Sequence, residues 1–366
     1  MSDKQPLTAK SAKIRKVRQE TQNSFSSRPS RIFLADLAVK SFLRRTQRPK
    51  LVKGPRCDTT TLVAIFLGID GGGSKTSCVV GDESSLLGSG IAAGSNVIRV
   101  GEVQAREALG AAIRQACAVA NVTPSQIERT CVGAAGGARP EISEVVRRLV
   151  AELVPGEIEV VGDMVIALEA AFDGAPGVVA IAGTGSIAYG RNAAGETARA
   201  GGWGFAISDE GSGHWIGCTA VAAALRALDE GHATALLEST MKAWNVMTLE
   251  QLILAANASP PPDFAVLLPA VLSAADAGDP TARTVLTQAG AELATLAKIV
   301  IRRIFPDAGA VPVAMSGGVF RNCTLVRQVF YNSLRSEYPQ VPVNATVADP
   351  VKGALGLARK GISGSG

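Results

Sequence analysis

Runs of consecutive apolar residues alternate along this chain with segments in which apolar side chains recur every three or four positions. The consecutive runs predict β-strands and occupy residues 63–69, 77–80, 130–133, 158–161, 178–182, 187–190 and 311–315. The periodic segments predict helices and occupy residues 102–119, 141–153, 164–172, 214–229, 236–244, 249–256, 264–278, 280–305 and 352–360. Strands that alternate with helices predict an α/β fold.

One hairpin design occurs twice in this pattern. The strand at 63–69 runs into a glycine turn with hydroxyl residues and resumes at 77–80, and the strand at 178–182 does the same before 187–190. Such a repeat predicts two lobes of related topology. We assign residues 63–173, with a returning helix at 349–361, to an N-terminal lobe and residues 174–348 to a C-terminal lobe.

Composition agrees with α/β layers and sets one segment apart. With 47% hydrophobic but only 4% aromatic residues, the core must be built from aliphatic side chains. Residues 1–62 carry 15 Lys and Arg against 4 Asp and Glu, whereas the rest of the chain carries 22 against 28. We expect this basic segment to be disordered, because its one apolar patch is short. A nucleic-acid arm and a transit-like or mis-assigned leader remain alternatives for it, and no nucleic acid is expected for the folded part.

The cysteines and histidines give no metal-site pattern. No CxxC pair occurs among the six cysteines, and the two histidines have no partner at ligand spacing. We therefore expect reduced thiols and a cytoplasmic protein. No apolar run of membrane-spanning length is apparent, so no membrane partner is expected.

Three turns of small residues, each directly after an apolar strand, are the main chemical signal: residues 71–73, 183–185 and 316–320. Glycine lets backbone N–H groups approach an anion, and nearby hydroxyl groups add donors. These hydroxyl groups belong to Ser74, Thr76, Thr184 and Ser186. Neither GxGxxG nor GxxxxGK[ST] is present, so the turns predict phosphate binding without a dinucleotide fingerprint or a P-loop.

Asp163 follows the strand at 158–161 and begins a helix. A carboxylate at the carboxyl end of a strand can accept a proton from an attacking hydroxyl group. The alternative from local sequence is a helix N-cap.

Five motifs, in this order, resemble the BadF/BadG/BcrA/BcrD-type ATPase family and its N-acetylglucosamine kinase branch: GIDGGGSKT, VVGD, IAGTGS, GGWGFAISDEGSGHWIG and SGGVFRN. The resemblance covers about residues 65–358. It implies a two-lobed actin-like ATPase fold, of ribonuclease H-like type, with a mixed sheet in each lobe flanked by helices. It also implies an enzyme that uses ATP and Mg²⁺ to phosphorylate an amino sugar, first of all N-acetylglucosamine at its 6-hydroxyl.

The resemblance implies a role for each group of site residues. Asp163 would be the catalytic base, and Asp70 would reach Mg²⁺ through water. The nucleotide would contact Gly71, Gly72, Gly73, Ser74, Lys75, Thr76, Gly183, Thr184, Gly185, Gly317 and Gly318, the last two against the adenosine. The sugar would contact Asn96, Asp163, Gly202, Trp203 and Asp209; by local sequence alone, Asp209 is equally an N-cap.

Two departures leave the substrate open. Ile187 stands where animal N-acetylglucosamine kinases have an Asn, and Ser208 stands where a Gly is usual. Glucosamine and N-acetylmuramic acid remain alternative acceptors. From other classes, an ATPase activator of a dehydratase or reductase and a non-catalytic sugar sensor remain alternatives. The oligomeric state is open, with the helix at 280–305 as a candidate homodimer face.

Overall fold

Two five-stranded mixed sheets form the framework of this computed structural model, which describes residues 63–306 and 310–361. Helices pack on both sheets. The prediction of an α/β fold with a mixed sheet in each lobe, flanked by helices, is confirmed. The predictions for residues 1–62 fall outside the described residues.

The first sheet has the strand order β3-β2-β1-β4-β5. Its strands are β1 (Ile65–Gly71), β2 (Lys75–Gly81), β3 (Leu86–Ala93), β4 (Ile127–Ala134) and β5 (Glu157–Gly162). Strands β1 to β3 are antiparallel neighbours, whereas β1, β4 and β5 run parallel. The carboxyl ends of the parallel strands therefore meet at one edge of the sheet.

The second sheet repeats this design, with the order β10-β9-β6-β7-β8. Its strands are β6 (Gly177–Ala182), β7 (Ser186–Arg191), β8 (Thr197–Gly201), β9 (Val313–Ser316) and β10 (Val343–Ala348). Strands β6 to β8 are antiparallel neighbours, and β9 is parallel to both β6 and β10. The hairpin repeat seen in the sequence thus extends to the whole sheet.

Eleven α-helices occur in the described part of the chain. They are α1 (Val97–Ala120), α2 (Pro140–Ala151), α3 (Asp163–Phe172), α4 (Gly213–Asp229), α5 (Ala235–Ala243), α6 (Leu249–Ala256), α7 (Leu268–Asp276), α8 (Pro280–Ile304), α9 (Gly318–Asn322), α10 (Thr324–Glu337) and α11 (Pro350–Lys360). Short 3-10 helices occupy Pro124–Gln126 and Phe264–Leu267.

The prediction of one continuous helix at 264–278 was wrong, because this segment divides into a 3-10 helix and α7. Pro269 lies near the start of α7, and a proline has no N–H to continue a helix across that point.

Several elements escaped the sequence prediction for physical reasons. Strand β3 is rich in glycine because α1 lies directly on it: a Cβ on Gly88 or Gly90 would fall within 2.4 or 2.2 Å of the carbonyl oxygens of Ala116 or Ala112. Strand β10 has no buried residue and so gives no apolar run. Helix α10, with three fully buried apolar side chains in fourteen residues, was also missed.

Helix α3 joins the two sheets. Its Ile166 packs with the core of the first sheet and α11, whereas its Leu168 packs with Val179 and Ala314 of the second sheet. Helices α3 and α11 touch at their backbones, since a Cβ on Gly353 would fall within 2.0 Å of the Ile166 carbonyl oxygen. A displacement of one sheet relative to the other must therefore be accommodated at α3 and α11.

Helix α8 is, within the described residues, the one helix long and apolar enough to cross a membrane by length and composition. The expectation that no apolar run reaches that length was therefore wrong. Half of the apolar stretch is buried inside the structure, where it packs on the second sheet and on α10. A buried core helix passes the same test, so the finding is weak evidence for a membrane span.

Candidate functional site

The first glycine turn lies at the carboxyl end of β1, inside the β1–β2 hairpin. Gly71 pairs with Thr76, and the Gly72 N–H donates to the Lys75 carbonyl oxygen at 3.1 Å. A Cβ on Gly72 would come within 3.0 Å of that oxygen, so the turn is tight. Ser74 and Lys75 are exposed at its tip. The tip therefore offers a hydroxyl group and an ammonium group to an anion.

The second glycine turn, residues 183–185 between β6 and β7, contacts the first. The Ser74 and Thr184 hydroxyl oxygens are 2.8 Å apart, although 110 positions separate the residues. A Cβ on Gly73 would lie 3.4 Å from the same Thr184 oxygen. No atom lies within 4 Å of the place where a Gly183 Cβ would stand. The structure thus brings together two of the predicted phosphate turns, and part of the second turn faces open space.

The third turn lies beside the second, because β6 and β9 are parallel neighbours. Gly317 has φ of 98°, and a Cβ there would fall within 2.3 Å of the Ala182 carbonyl oxygen. Only glycine fits this position. Apart from its immediate neighbours along the chain, no atom lies within 4 Å of the place where a Gly318 Cβ would stand, so this side of its backbone has room for a ligand.

Asp70 lies near the end of β1, within electrostatic range of two carboxylates and two cationic side chains. Burial raises the pKa of its carboxyl group to about 7, and the carboxylates of Asp163 and Asp349 raise it in the same direction. Lys75 and Arg321 oppose these effects. The structure therefore brings Asp70 and Asp163 close enough to repel each other, as a site built for a cation would.

Asp163 is the first residue of α3, and the N-cap position is occupied by Gly162. Burial raises the pKa of Asp163, whereas the Met164 N–H, which donates to Asp163 Oδ1 at 2.9 Å, lowers it. This hydrogen bond occupies Oδ1, and the N–H of Asp163 itself also lowers the pKa of the carboxyl group. A partly buried carboxylate at the carboxyl edge of a parallel sheet fits a general base.

Asp209 has φ of 69° and is 8% exposed. Burial raises the pKa of its carboxyl group, while the backbone N–H groups of Ser186 and Gly204 lower it by donating to the carboxylate. Asp163 raises it further, so these two carboxylates also share one region. The predicted alternative, a helix N-cap, was wrong for Asp209: α4 is capped by Ser212.

Asn96 is the N-cap of α1, and its Oδ1 accepts a hydrogen bond from the Ile98 N–H at 3.1 Å. The loop before it is anchored to the first glycine turn, because the Ser95 N–H donates to the Gly72 carbonyl oxygen at 3.2 Å. Asn96 is partly exposed, so its side-chain NH₂ group is the part available to a ligand.

Thr76 is fully buried, in contrast to the hydroxyl groups at the tip of the turn. Its hydroxyl group donates to the Ala93 carbonyl oxygen at 2.7 Å and lies 2.8 Å from the Ser95 hydroxyl oxygen. Thr76 therefore supports the turn from beneath. A direct contact between Thr76 and phosphate stays a prediction that this packing disfavours.

Gly202 and Trp203 lie on an exposed loop after β8. Trp203 is 64% exposed, and the Arg199 guanidinium stacks 3.9 Å from its ring centre. Gly202 has φ of 70°, and a Cβ there would approach Ile187 to 2.8 Å. The unexpected Ile187 therefore fills the space beneath Gly202. The loop meets the carboxylate region at Gly204, which donates to Asp209.

Sequence reasoning missed four charged residues of this region: Arg99, Asp263, Arg321 and Asp349. Arg99 and Asp263 form an ion pair, and Arg321 and Asp349 influence Asp70. One signal was available for Asp349, which follows a strand and precedes a helix as Asp163 does. Nothing in the local sequence marks Arg99 and Asp263, whose pairing depends on tertiary structure.

The donor set fits a Mg²⁺ ion that is held mostly by water and by phosphate oxygens. The described residues contain no group of three or more His, Cys, Asp or Glu side chains that could enclose a metal ion. Mg²⁺ commonly binds one or two carboxylates, several waters and substrate phosphates. Asp70 is suited to this arrangement, because a nearby dication would offset the burial and the carboxylate repulsion that together raise the pKa of Asp70 to about 7.

Comparisons with known proteins agree with each other. The sequence profile of the BadF/BadG/BcrA/BcrD ATPase family matches residues 67–358. An N-acetylmuramic acid/N-acetylglucosamine kinase of Clostridium acetobutylicum is 32% identical over 298 residues, or 80% of this chain and 97% of the relative. An N-acetyl-D-glucosamine kinase of Dictyostelium discoideum is 30% identical over 310 residues, with the same coverage of 80% and 97%. A candidate N-acetylglucosamine kinase of solved structure from Chromobacterium violaceum has a TM-score of 0.65 at 25% identity, over 80% of this chain and 98% of that chain.

Proposed function

Because the chain belongs to the BadF/BadG/BcrA/BcrD ATPase family, we propose that it transfers the γ-phosphate of ATP to the 6-hydroxyl of N-acetylglucosamine. The chain is an ATP-dependent sugar kinase with the two-lobed actin-like fold, as the motifs predicted. Both curated relatives are named for N-acetylglucosamine, which favours this acceptor over glucosamine.

The proposal rests on the contact between the first glycine turn and the second glycine turn. Ser74 and Thr184 come from different sheets, yet their hydroxyl oxygens are 2.8 Å apart. Backbone amides and hydroxyl groups from both turns can therefore contact one triphosphate. Asp70 and Asp163 lie at the same edge of the first sheet, where a divalent cation and an attacking hydroxyl group are needed.

In the proposed reaction, Asp163 holds the 6-hydroxyl and removes its proton. The sugar oxygen forms a bond to the γ-phosphorus while the bond from that phosphorus to the bridging oxygen of ADP breaks, and the proton moves to the Asp163 carboxylate. A raised pKa suits this role, because it brings the basicity of the carboxylate closer to neutral pH. Asp209 and the amide group of Asn96 would orient the sugar, and Gly317 and Gly318 would lie against the adenosine.

Asp70 would hold Mg²⁺ through water. When bound, the ion would supply positive charge that stabilises the negative charge developing on the phosphates. Ser74, Lys75 and Thr184 would add donors to the phosphates. We propose that Thr76 supports the turn from beneath, because its side chain is buried.

We also propose a cytoplasmic location, where ATP is available.

A kinase assay against a panel of sugars tests the function. The full-length protein with Mg-ATP is expected to release ADP with N-acetylglucosamine, and less with glucosamine, N-acetylmuramic acid or glucose. Phosphorus–proton NMR of the product is expected to place the phosphate on O6. A preference for N-acetylmuramic acid would replace the proposed acceptor within the same reaction class. Absence of ADP release with every sugar would overturn the proposal.

The same assay distinguishes a sugar kinase from the two alternative classes of protein, an ATPase activator and a non-catalytic sugar sensor. An ATPase activator would hydrolyse ATP without sugar and would need accessible cysteines for an iron–sulfur cluster. Among the cysteines of the described residues, Cys218 is exposed, whereas the other four are buried: Cys78, Cys117, Cys131 and Cys323. A non-catalytic sensor would bind sugar without turnover.

A further inference from the structure

An ion pair connects the substrate side of the first sheet to the second half of the chain. Arg99 lies in the first turn of α1, and its guanidinium contacts the carboxylate of Asp263, just before the 3-10 helix Phe264–Leu267. Both side chains are about one-third exposed, at 34% and 32%. The contact therefore remains reachable by water.

Asp263 is held firmly in relation to the second glycine turn. Its carboxylate caps the 3-10 helix by accepting from the Ala265 N–H at 3.1 Å. The next residue, Phe264, is in close contact with the backbone of α4, since a Cβ on Gly217 would fall within 2.0 Å of the Phe264 carbonyl oxygen. Helix α4 in turn starts at Gly213, whose N–H donates to the Gly183 carbonyl oxygen at 2.8 Å.

Arg99 stands on a helical turn that is partly independent of the rest of α1. Gly101 interrupts the helix with φ of 76° and ψ of 167°, and no atom lies within 4 Å of the place of a Cβ there. The turn before Gly101 carries both Arg99 and Asn96. The Arg99 Nη1 atom lies 3.5 Å from the position of a Cβ on Gly73, so the turn also borders the first glycine turn.

We propose that the Arg99–Asp263 ion pair is the closure contact that holds the Asn96 turn over the acceptor sugar, which makes Arg99 and Asp263 positioning residues. The inference rests on the proposed function, in which Asn96 and Asp209 contact one sugar from the two halves of the molecule. Such a sugar is bound tightly only while both halves are close. A contact formed on closure lowers the KM for the acceptor without taking part in phosphoryl transfer.

The test compares variants that remove charge and keep shape. Arg99→Gln keeps the stem of the side chain, and Asp263→Asn keeps a good N-cap, so the 3-10 helix is retained. Each is expected to raise the acceptor KM about fivefold or more, the lower range of typical coupling between sites. The double variant is expected to match the single ones, and Arg99→Lys is expected to recover part of the loss. The KM for ATP is expected to change less than the acceptor KM, and the melting temperature is expected to change little.

Arg106→Gln is the matched control, because it removes another α1 ion pair, with Glu152, inside the first half of the chain. An unchanged acceptor KM in the Arg99 and Asp263 variants, or fully additive effects in the double variant, would overturn the closure role. The closure role would also be overturned if Arg106→Gln raised the acceptor KM as much as the Arg99 and Asp263 variants do.

A second readout does not depend on catalysis. Hydrogen–deuterium exchange of residues 94–101 is expected to rise in Arg99→Gln and Asp263→Asn but not in Arg106→Gln. No rise would contradict the closure contact even if the protein phosphorylates sugar. If the wild-type protein turns over no sugar but these two variants still show the rise, the proposed function is overturned and the ion pair remains the link between the two halves.

Discussion

The carboxylate of Asp209 lies directly on the backbone of Gly185: a Cβ on Gly185 would come within 2.8 Å of an Asp209 carboxylate oxygen. The predicted sugar-side carboxylate and the predicted phosphate turn are therefore parts of one packed unit. Gly185 has two functions in this arrangement, since it shapes the turn and leaves room for the carboxylate.

Gly185→Ala is expected to displace the Asp209 carboxylate and to raise the KM for the acceptor sugar about tenfold, because misplaced binding groups lose orientation. Gly183→Ala, in the same turn, adds a Cβ where no atom lies within 4 Å. That variant is expected to affect the KM for ATP instead. Steady-state kinetics with each substrate varied in turn would measure both constants. The coupling between Asp209 and Gly185 would be disproved by a Gly185→Ala variant with a normal acceptor KM.

Asp163→Asn is expected to lower kcat at least about 10²-fold, because an amide cannot accept the proton of the sugar hydroxyl group. The Met164 N–H can still donate to the amide oxygen, so the start of α3 should be preserved. Circular dichroism and the melting temperature provide the control for folding. Undiminished turnover would remove Asp163 from the role of base.

Gly318→Ala is expected to weaken ATP binding about tenfold while leaving the fold intact, since the added methyl group meets no protein atom within 4 Å and would meet the nucleotide. Gly356→Ala in α11 is the matched control, because its nearest neighbour is 4.0 Å away and it lies outside the turns. Isothermal titration with a non-hydrolysable ATP analogue would measure the affinities. Equal affinities for the two variants would exclude a close approach of the nucleotide to Gly318.

The hydrogen bonds of the Asp279 carboxylate predict that the stability of the folded protein depends on pH. Its carboxylate is 8% exposed and accepts hydrogen bonds from the Thr234 hydroxyl and from the N–H groups of Ala235 and Ala282, at 2.6 to 2.9 Å. Burial raises the pKa of Asp279, but these hydrogen bonds together outweigh burial and lower it below the ordinary 3.8. The unfolded chain therefore binds the proton more tightly. This stabilisation is complete well above the unfolded pKa of 3.8, and it is lost progressively as the pH falls through the lower pKa of the folded protein.

Asp279→Asn is expected to lower the free energy of unfolding by about 2 kcal/mol at pH 6, because one charged acceptor of several hydrogen bonds is replaced by a neutral one. The difference from the wild type is expected to shrink at pH 3. Urea unfolding at both pH values would measure it. Asp276→Asn, on the exposed end of α7, serves as the control. A difference that is the same at both pH values would contradict a charged cap.

The sequence determined the repeated hairpins, because an apolar strand, a glycine turn and a second strand are local patterns that each hairpin carries within about fifteen residues. It also marked Asp70 and Asp163 by their place at the end of an apolar run. The resemblance carried by five motifs indicated the family, and the profile match to residues 67–358 confirmed it. Residue roles that depend on a bound ligand stay predictions.

The tertiary structure determined which residues from distant parts of the sequence are in contact. The meeting of Ser74 with Thr184, the seat of Asp209 on Gly185 and the ion pair of Arg99 with Asp263 join residues 110, 24 and 164 positions apart. No local pattern encodes such contacts, because they arise only when two sheets are placed around α3 and α11. Strand β3 shows the same limit, since its glycines lower strand propensity and are explained only by the helix packed on them. Local chemistry therefore specified the parts, and the packing of distant elements specified the site.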